Sequence, residues 1–344
     1  MMILVVVLFS PLFLLFPEML EKDSEYARRV RNFILFAAVI KGFPVRLIDT
    51  VRCTKDGGRL RLDGPEEGAD SIAEGKLHCE KCGVVYKIQD GILEMLEDAA
   101  PLDERNKFEM SARDVEAHKR VESNQITALS EIDRMELPTT LGQLGKTDGR
   151  SLLEIGCGTG RYTRPLAERC NSLLAVDFSK ESLLANARSL PEDRNVGFVR
   201  ADAGNLKLKE ESFDLAFSTA YSNLPSAQIR SRANESVSRA LKLNGKYVVS
   251  THHHDIREIL RGVSTAEEYE NGIFFQRFTR GSLRRELEKY FSAIEMKTVV
   301  IWVPYISRFK PGRVFFSRLA ERVPILNQLG GLLLATAVKE KSSS

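Results

Sequence analysis

Residues 153–160 read Leu153-Glu154-Ile155-Gly156-Cys157-Gly158-Thr159-Gly160. Just upstream, Ser151–Ile155 is a short apolar run of the kind that forms a strand buried on both faces. Three glycines then close the strand. They permit a tight turn and let a ligand approach the backbone closely. Residues 165–169 start a helix, with Pro165 tolerated in its first turn. Strand, glycine loop and helix in that order form a phosphate- or nucleotide-type cradle, but the loop alone is weak evidence for a particular ligand. The spacing is G-x-G-x-G, without the later glycine of the dinucleotide fingerprint.

Working outward, strands and helices alternate. Leu173–Val176 is a second strand ending at Asp177. Ser179 caps a helix that runs through Ser189. Val196–Arg200, Phe213–Ser218 and Lys246–Thr251 read as further strands. Residues 227–241 form a helix with Ile229, Ala233, Val237 and Leu241 on one face. Such alternation predicts a parallel sheet with right-handed crossovers. The chain then ends on two apolar strands, Met296–Val303 and Leu332–Val338, separated by a basic insertion. The expected fold is therefore α/β: a Rossmann-like, doubly wound, mostly parallel sheet, preceded by a small β-rich unit.

Two acids sharpen the reading of the loop. Asp177 ends the second strand, where a carboxylate can accept both ribose hydroxyls. Asp202 follows the third strand in Arg200-Ala201-Asp202-Ala203, where it can accept an adenine amine. This stretch resembles the class I S-adenosylmethionine-dependent methyltransferases, especially the broad group that includes the ubiquinone and menaquinone biosynthesis enzymes. The resemblance covers residues 149–338. It implies that Gly156, Gly158 and Gly160 wrap the methionine part of the cofactor and that Glu154 helps hold its amine. Asp177 would take the ribose, and Asp202 with the Ala203 backbone the adenine. Ser218, closing the fourth strand, joins this cofactor set. The turn Leu241-Lys242-Leu243-Asn244-Gly245 is similar to the family's leucine-lysine-proline-glycine-glycine turn and departs from it at Leu243 and Asn244.

Substrate groups belong at the carboxyl ends of the strands. Tyr221, His252 and His253 lie there and are the candidates for acceptor contact or proton removal. Neighbouring residues on an extended chain point to opposite faces, which argues against a metal held by His252, His253 and His254. No Asn-Pro-Pro-Tyr-type turn follows the fourth strand, which counts against methylation of the adenine exocyclic amine. No Pro-Cys turn is present, which counts against a cysteine nucleophile acting on cytosine C5.

Upstream, Cys79-Glu80-Lys81-Cys82-Gly83 is a metal-knuckle pattern flanked by the strands Lys76–His78 and Val84–Ile88. One knuckle supplies two ligands and zinc takes four. Cys53-Thr54-Lys55-Asp56-Gly57 reads as a first knuckle whose second cysteine has become Asp56. The unit resembles the small zinc-ribbon proteins that activate tRNA and protein methyltransferases, and its Tyr86-to-Leu93 ending is similar to theirs. Three readings stand: a zinc held by Cys53, Asp56, Cys79 and Cys82, with His78 a further candidate ligand; a metal-free relic; or a redox pair. So small a unit cannot bury an adequate core unaided. It is expected either to dock on the catalytic domain or to hang from a linker.

The chain has 344 residues, with 43% apolar and 28% charged, a soluble globular balance that excludes a disordered or fibrous chain. A net charge of +3 is too weak to imply nucleic acid. Five cysteines, an odd number at irregular spacing, disfavour a secreted disulfide framework and fit a reducing, cytoplasmic setting. Residues 1–16 are almost wholly apolar yet shorter than a membrane span. They read as a membrane-associating anchor, an upstream mis-start before Met19, or a buried helix. A second apolar patch, Phe33 to Ile40, sits among basic residues. The expected organisation is 1–45 apolar segment, 46–100 zinc-ribbon-like unit, 101–148 helical connector with a Pro/Gly-punctuated end, and 149–339 methyltransferase domain.

Three functions follow from these resemblances. The leading one is methyl transfer to a small-molecule or lipid-like acceptor by in-line displacement, with peripheral membrane contact through residues 1–16. The second is an RNA methyltransferase, because ribosomal RNA guanine methyltransferases also place a zinc ribbon before such a domain. The basic, aromatic insertion around Arg308–Arg322 serves either reading, or simply covers the sheet. The third is a non-catalytic cofactor-binding scaffold. The acceptor atom and the oligomeric state are not readable from the sequence.

Overall fold

The computed structural model describes residues 42–63, 69–96, 104–123, 125, 129–191, 195–219, 221–302 and 312–340. The apolar stretches 1–16 and 33–40 and the basic residues 308–310 lie outside the described residues. Among those described, no helix is long and apolar enough to cross a membrane.

Four strands of the main sheet belong to the cysteine unit, β1 (Leu60–Leu62), β2 (Gly75–Cys79), β3 (Val85–Gln89) and β4 (Ile92–Glu94), beside a separate short pairing of 43–44 with 71–72. Two helices follow, α1 (Glu104–Glu122) and α2 (Glu131–Leu144). Then comes the alternation expected from the sequence: β5 (Ser151–Ile155), α3 (Thr163–Ala167), β6 (Ser172–Asp177), α4 (Lys180–Arg188) and β7 (Val196–Arg200). After it run β8 (Phe213–Ser218), α5 (Ala227–Ala240) and β9 (Leu241–His253). A hairpin, β10 (Ala266–Glu268) and β11 (Phe274–Phe278), precedes α6 (Arg280–Leu287). The chain closes on β12 (Ser292–Val299), α7 (Arg313–Ala320) and β13 (Leu332–Val338).

These 13 strands form one sheet, in the order β10-β11-β9-β8-β5-β6-β7-β4-β3-β2-β1, with β13 pairing both β9 and β12. The neighbours from β7 through β6, β5 and β8 to β9 are all parallel. Every residue of β6 is buried, as a strand covered by helices on both faces must be. The order reverses at β5, which runs on to β6 on one side and lies beside β8 on the other. That reversal is the topological switch point where such sheets bind ligands. β13 runs antiparallel to β9 from Lys246 opposite Val338 to His252 opposite Leu332.

The strands at 151–155, 172–177, 196–200 and 213–218 match the sequence reading to within a residue, whereas the strand expected at 246–251 runs Leu241–His253 and takes in the expected turn Leu241–Gly245. The exceptions have local causes. The stretch expected as a linker is helical to Leu144 in spite of Pro138, because α2 buries Met135, Glu136, Thr140 and Leu144. Its start is fixed by a capping box between Ser130 and Asp133. The strand expected at Met296–Val303 starts and ends earlier, in the register that sets Val299 opposite Leu332. The β10–β11 hairpin was not foreseen, because Ala266-Glu267-Glu268 offers no apolar alternation.

The cysteine unit is part of the same sheet. β4 pairs parallel with β7, placing Ile92, Leu93 and Glu94 opposite Phe198, Val199 and Arg200. One hydrophobic core joins Phe43, Leu47, Tyr86 and Leu93 with Leu153, Val176, Val199 and Leu206. Gly197 on β7 permits the contact, since a Cβ there would stand 2.9 Å from Leu47 and 3.1 Å from Phe43. Arg200 donates to Glu94 at 3.2 Å, and the amide of Arg52 donates to the carbonyl of Lys207 at 3.0 Å. Of the two arrangements expected, docked or tethered, this geometry is the docked one.

Candidate active site and metal cluster

The carboxyl ends of β5, β6, β7 and β8 open into one cavity of about 790 Å³. Gly156, Gly158, Asp177, Asp202, Ala203 and Ser218 all line it. Gly156 and Gly158 have φ of +73° and +50°, a left-handed backbone that favours glycine. A Cβ on Gly158 would meet nothing within 4 Å, so this part of the loop faces open space. The amide of Gly158 donates to Asp177 Oδ2 at 2.8 Å, and that of Ser179 to Oδ1 at 3.0 Å. The acid of the second strand therefore fastens the loop as well as facing the cavity. Burial pushes its pKa up. Asp202 is held by the amide of Gly204 at 2.9 Å and by Asn205. The Ser218 hydroxyl is buried with no hydrogen-bond partner, and Tyr247 is its polar neighbour. Open glycine backbone, two carboxylates at successive strand ends and an unpaired hydroxyl suit a ligand with an amino-acid end, a diol and an exocyclic amine. The residues present thus fit S-adenosylmethionine.

Two members of the expected cofactor set stand behind the wall rather than on it. Glu154 is buried, and its carboxylate accepts from Thr163 Oγ1 at 2.8 Å. Burial, with the nearby Asp177 charge, raises its pKa to about 8, so the group is held protonated near neutral pH. Gly160 packs against α4, where a Cβ would stand 2.1 Å from Asn186 Oδ1. Both shape the loop from beneath.

The three acceptor candidates separate in the same way. Tyr221 is wholly buried; its hydroxyl donates to Glu286 at 2.7 Å and accepts from Asn234 at 2.9 Å. Arg230 completes that network with two bonds to Glu286. A side chain so enclosed does not meet a substrate, so the expectation for Tyr221 is corrected. His253 turns to the other face of β9 and bonds the carbonyl of Gly330 at 2.8 Å, away from the cavity. His252 faces the hairpin, where its Nε2 lies 2.7 Å from the hydroxyl of Tyr269. Burial and the Arg277 charge lower its pKa to about 4, leaving the ring neutral at physiological pH. Tyr269 itself lines the cavity and stacks on Phe275 at 4.4 Å. Nothing in the local sequence marked it.

The other unforeseen wall is α1. It packs on α4 and brings Glu109 and Arg113 to the cavity. Glu109 is buried, accepts the amide of Phe274 at 2.9 Å and pairs with Arg105 at 3.2 Å. Desolvation raises its pKa. Also on the cavity wall, Arg161 pairs with Asp133 and, at 3.1 Å, with the buried Glu136.

Far along the sheet, the ligand atoms of Cys53, Asp56, Cys79 and Cys82 lie within 4.8 Å of one another. The sulfurs of Cys53 and Cys82 are 3.6 Å apart, and Cys79 Sγ is 3.4 Å from Asp56 Oδ1. Tetrahedral zinc with Zn–S of about 2.3 Å sets its sulfurs about 3.8 Å apart, so the cluster has suitable dimensions. Gly58 is needed for that closeness, since a Cβ there would stand 2.6 Å from Cys79 Sγ. His78 is excluded as a ligand: its ring is 3.0 Å from Asp63 and outside the cluster.

Comparison with known proteins agrees with both halves. Residues 153–249 match the family model described as a methyltransferase domain, and residues 45–91 match that described as Trm112p-like protein. The chain is 37% identical over 91 residues to phosphoethanolamine N-methyltransferase 1 of Arabidopsis thaliana, covering 26% of this chain and 18% of that protein. It is 29% identical over 117 residues to demethylmenaquinone methyltransferase of Paenarthrobacter aurescens (strain TC1), covering 34% and 44%. The chain thus spans less than half the length of either relative. A solved complex of the Haloferax volcanii Trm112 methyltransferase activator with a methyltransferase aligns at 17% identity and a TM-score of 0.47, over 70% of this chain and 99% of that one. Residues 153–249 of the chain are thus a methyltransferase domain. A Trm112p-like domain precedes it.

Proposed function

We propose that the protein transfers a methyl group from S-adenosylmethionine to a small-molecule or lipid-like acceptor. The observation that carries this reading is a cavity that gathers Gly156, Gly158, Asp177, Asp202 and Ser218 at the switch point of the sheet. When bound, the cofactor supplies an electrophilic methyl on a sulfonium sulfur, so the protein's task is alignment and exclusion of water. The backbone at Gly156 and Gly158 and the Ser218 hydroxyl would hold the methionine end. Asp177 would accept the ribose hydroxyls, and Asp202 with Ala203 the adenine. Tyr269 is assigned to the acceptor side. The neutral imidazole of His252 can accept the hydrogen bond of the Tyr269 hydroxyl and so orient the tyrosine oxygen at the cavity wall. The division into units at 46–100, 101–148 and 149–339 is part of the same reading, as is zinc in the Cys53–Asp56–Cys79–Cys82 cluster. The cavity wall carries Glu109, Glu116, Asp133, Asp177 and Asp202 against a few arginines. That balance favours a small acceptor over a nucleic-acid strand.

Incubation of the full chain with radiolabelled S-adenosylmethionine and, separately, lipid extract, metabolite extract and total RNA tests the proposal. Label is expected in the lipid or metabolite fraction. Label retained by RNA alone would replace the reading with the RNA one, and no transfer to any fraction would favour the scaffold.

A further inference from the structure

We propose that the carboxyl edge of the sheet, beside the cavity mouth, is a docking face for an anionic lipid surface. The inference rests on the lipid-like branch of the functional reading and concerns described residues only.

Three segments leave the sheet at this edge. The short helix Ile256–Leu260 follows directly on the end of β9. The end of β12 and the start of β13 lie here too, since Val299 and His252 both stand opposite Leu332, the first residue of β13. The segments are tied together: the Arg257 guanidinium donates to the carbonyl of Leu329 at 2.5 Å, and the amide of His253 to that of Gly331 at 3.0 Å. The cavity opens on the same edge. Glu131, at the start of the helix whose Ile132 and Asp133 line the cavity, accepts from Arg313 of α7 at 2.9 Å.

What these segments present is apolar and basic. Ile256, Ile259, Leu260, Phe315, Leu319 and Ile325 are 54%, 45%, 80%, 65%, 48% and 78% exposed. No residue of the helix Ile256–Leu260 is buried, so that helix covers no core. Exposed apolar residues in this number, on segments linked at one edge, mark an interaction surface. Arg261, Arg318 and Arg322 are exposed among them. The acids in the same segments are spent inward: Asp255 on Arg257, Glu258 on Arg277 at 3.5 Å, and Glu321 on Thr139 at 2.9 Å. Aliphatic side chains with free guanidinium groups between them suit insertion at the headgroup boundary of an anionic bilayer. Five of the six exposed apolar residues named above are aliphatic and Phe315 alone is aromatic, whereas a nucleic acid is met by aromatic stacking and cation. Docking here would turn the cavity mouth toward the surface in which a lipid-like acceptor is dissolved.

The test is sedimentation of the full chain with large unilamellar vesicles of phosphatidylcholine alone, and of phosphatidylcholine with one-third phosphatidylglycerol. The parent is expected to pellet with the anionic vesicles, less so as salt rises. Leu260→Ser with Ile325→Ser should weaken partitioning by roughly tenfold or more, given the apolar surface each side chain would bury. Arg318→Glu with Arg322→Glu should abolish the preference for anionic vesicles. Both doubles alter exposed side chains and should bind S-adenosylhomocysteine as the parent does, so lost docking stays distinct from lost methyltransferase function. Equal partitioning of parent and both variants, as an anchor in residues 1–16 would give, overturns the proposal. So does failure of the parent to bind vesicles, or its retention by RNA with the same residues required.

Discussion

The cofactor cavity lies at the middle of the sheet and the cysteine cluster at one end of it, and they are built on different principles. The cavity is assembled from strand ends. In a parallel sheet, successive strands deliver their carboxyl termini to one edge, so Gly156, Asp177, Asp202 and Ser218 converge although 62 residues of sequence separate the first from the last. The cluster is assembled from two turns clamped together by β1 and β2 pairing. It owes nothing to the sheet's direction and depends on side-chain reach within a few ångströms. The first kind of site tolerates change in its surroundings, because topology holds it. The second stands or falls with each ligand. What joins them is β4, three residues long, which makes the small unit an extension of the larger one's hydrogen-bond ladder.

The largest expected effect therefore lies at that junction rather than at either site. Leu93 is fully buried between the two units. Leu93→Asp should destabilise the whole chain by about 4 kcal/mol or more, since it buries an unpaired charge. The parent should unfold in a single thermal transition. Two separated transitions in calorimetry would mean that the units are only tethered.

Next in size is the cavity. Asp177→Ala removes the carboxylate that holds Gly158 and Ser179 and that faces the ribose position. It should cost about 1.5–3 kcal/mol of S-adenosylhomocysteine affinity, the worth of hydrogen bonds to a charged group. Titration calorimetry checks it, and an unchanged affinity would remove Asp177 from the cofactor assignment.

The cluster should respond more modestly. Full-length protein purified without chelator should carry about one zinc per chain by elemental analysis. Cys79→Ser should lose most of it and lower Tm while leaving cofactor affinity in place, because β4 still pairs. Metal content indistinguishable from background in the parent would retire zinc and leave the relic reading.

The smallest effect concerns Glu154. Its carboxyl is protonated in the folded state up to about pH 8, whereas in the unfolded chain it ionises near 4.3. Between those values the unfolded state holds fewer protons, so stability falls as pH rises through the window and levels off above it. Glu154→Gln should flatten that decline, with a gain of a few degrees in Tm at pH 8 relative to the parent. Parallel pH profiles for the two proteins would show that Glu154 is ionised beneath the loop.

These contrasts also explain what could be read in advance. The strands and their terminal acids were legible because buried parallel strands are short apolar runs and the glycine spacing is local. The knuckles were legible because Asp56 stands where a second cysteine would. Tyr269 was not, because a hairpin whose first strand reads Ala-Glu-Glu carries no period and only tertiary packing brings its turn to the cavity. Glu109 and Arg113 were hidden for a similar reason: α1 reads as a solvated charged helix until it packs on α4. Tyr221 and His253 misled because strand-end position says which edge a residue occupies but not which way its side chain turns.

Titration of the full chain with S-adenosylhomocysteine tests whether the glycine loop is a cofactor cradle. One binding site per chain is expected in the parent. Gly158→Val should lose roughly a hundredfold or more, because a branched side chain would be placed at φ +50° in the space the ligand needs. No binding by the folded parent, or equal binding by parent and Gly158→Val, would contradict it.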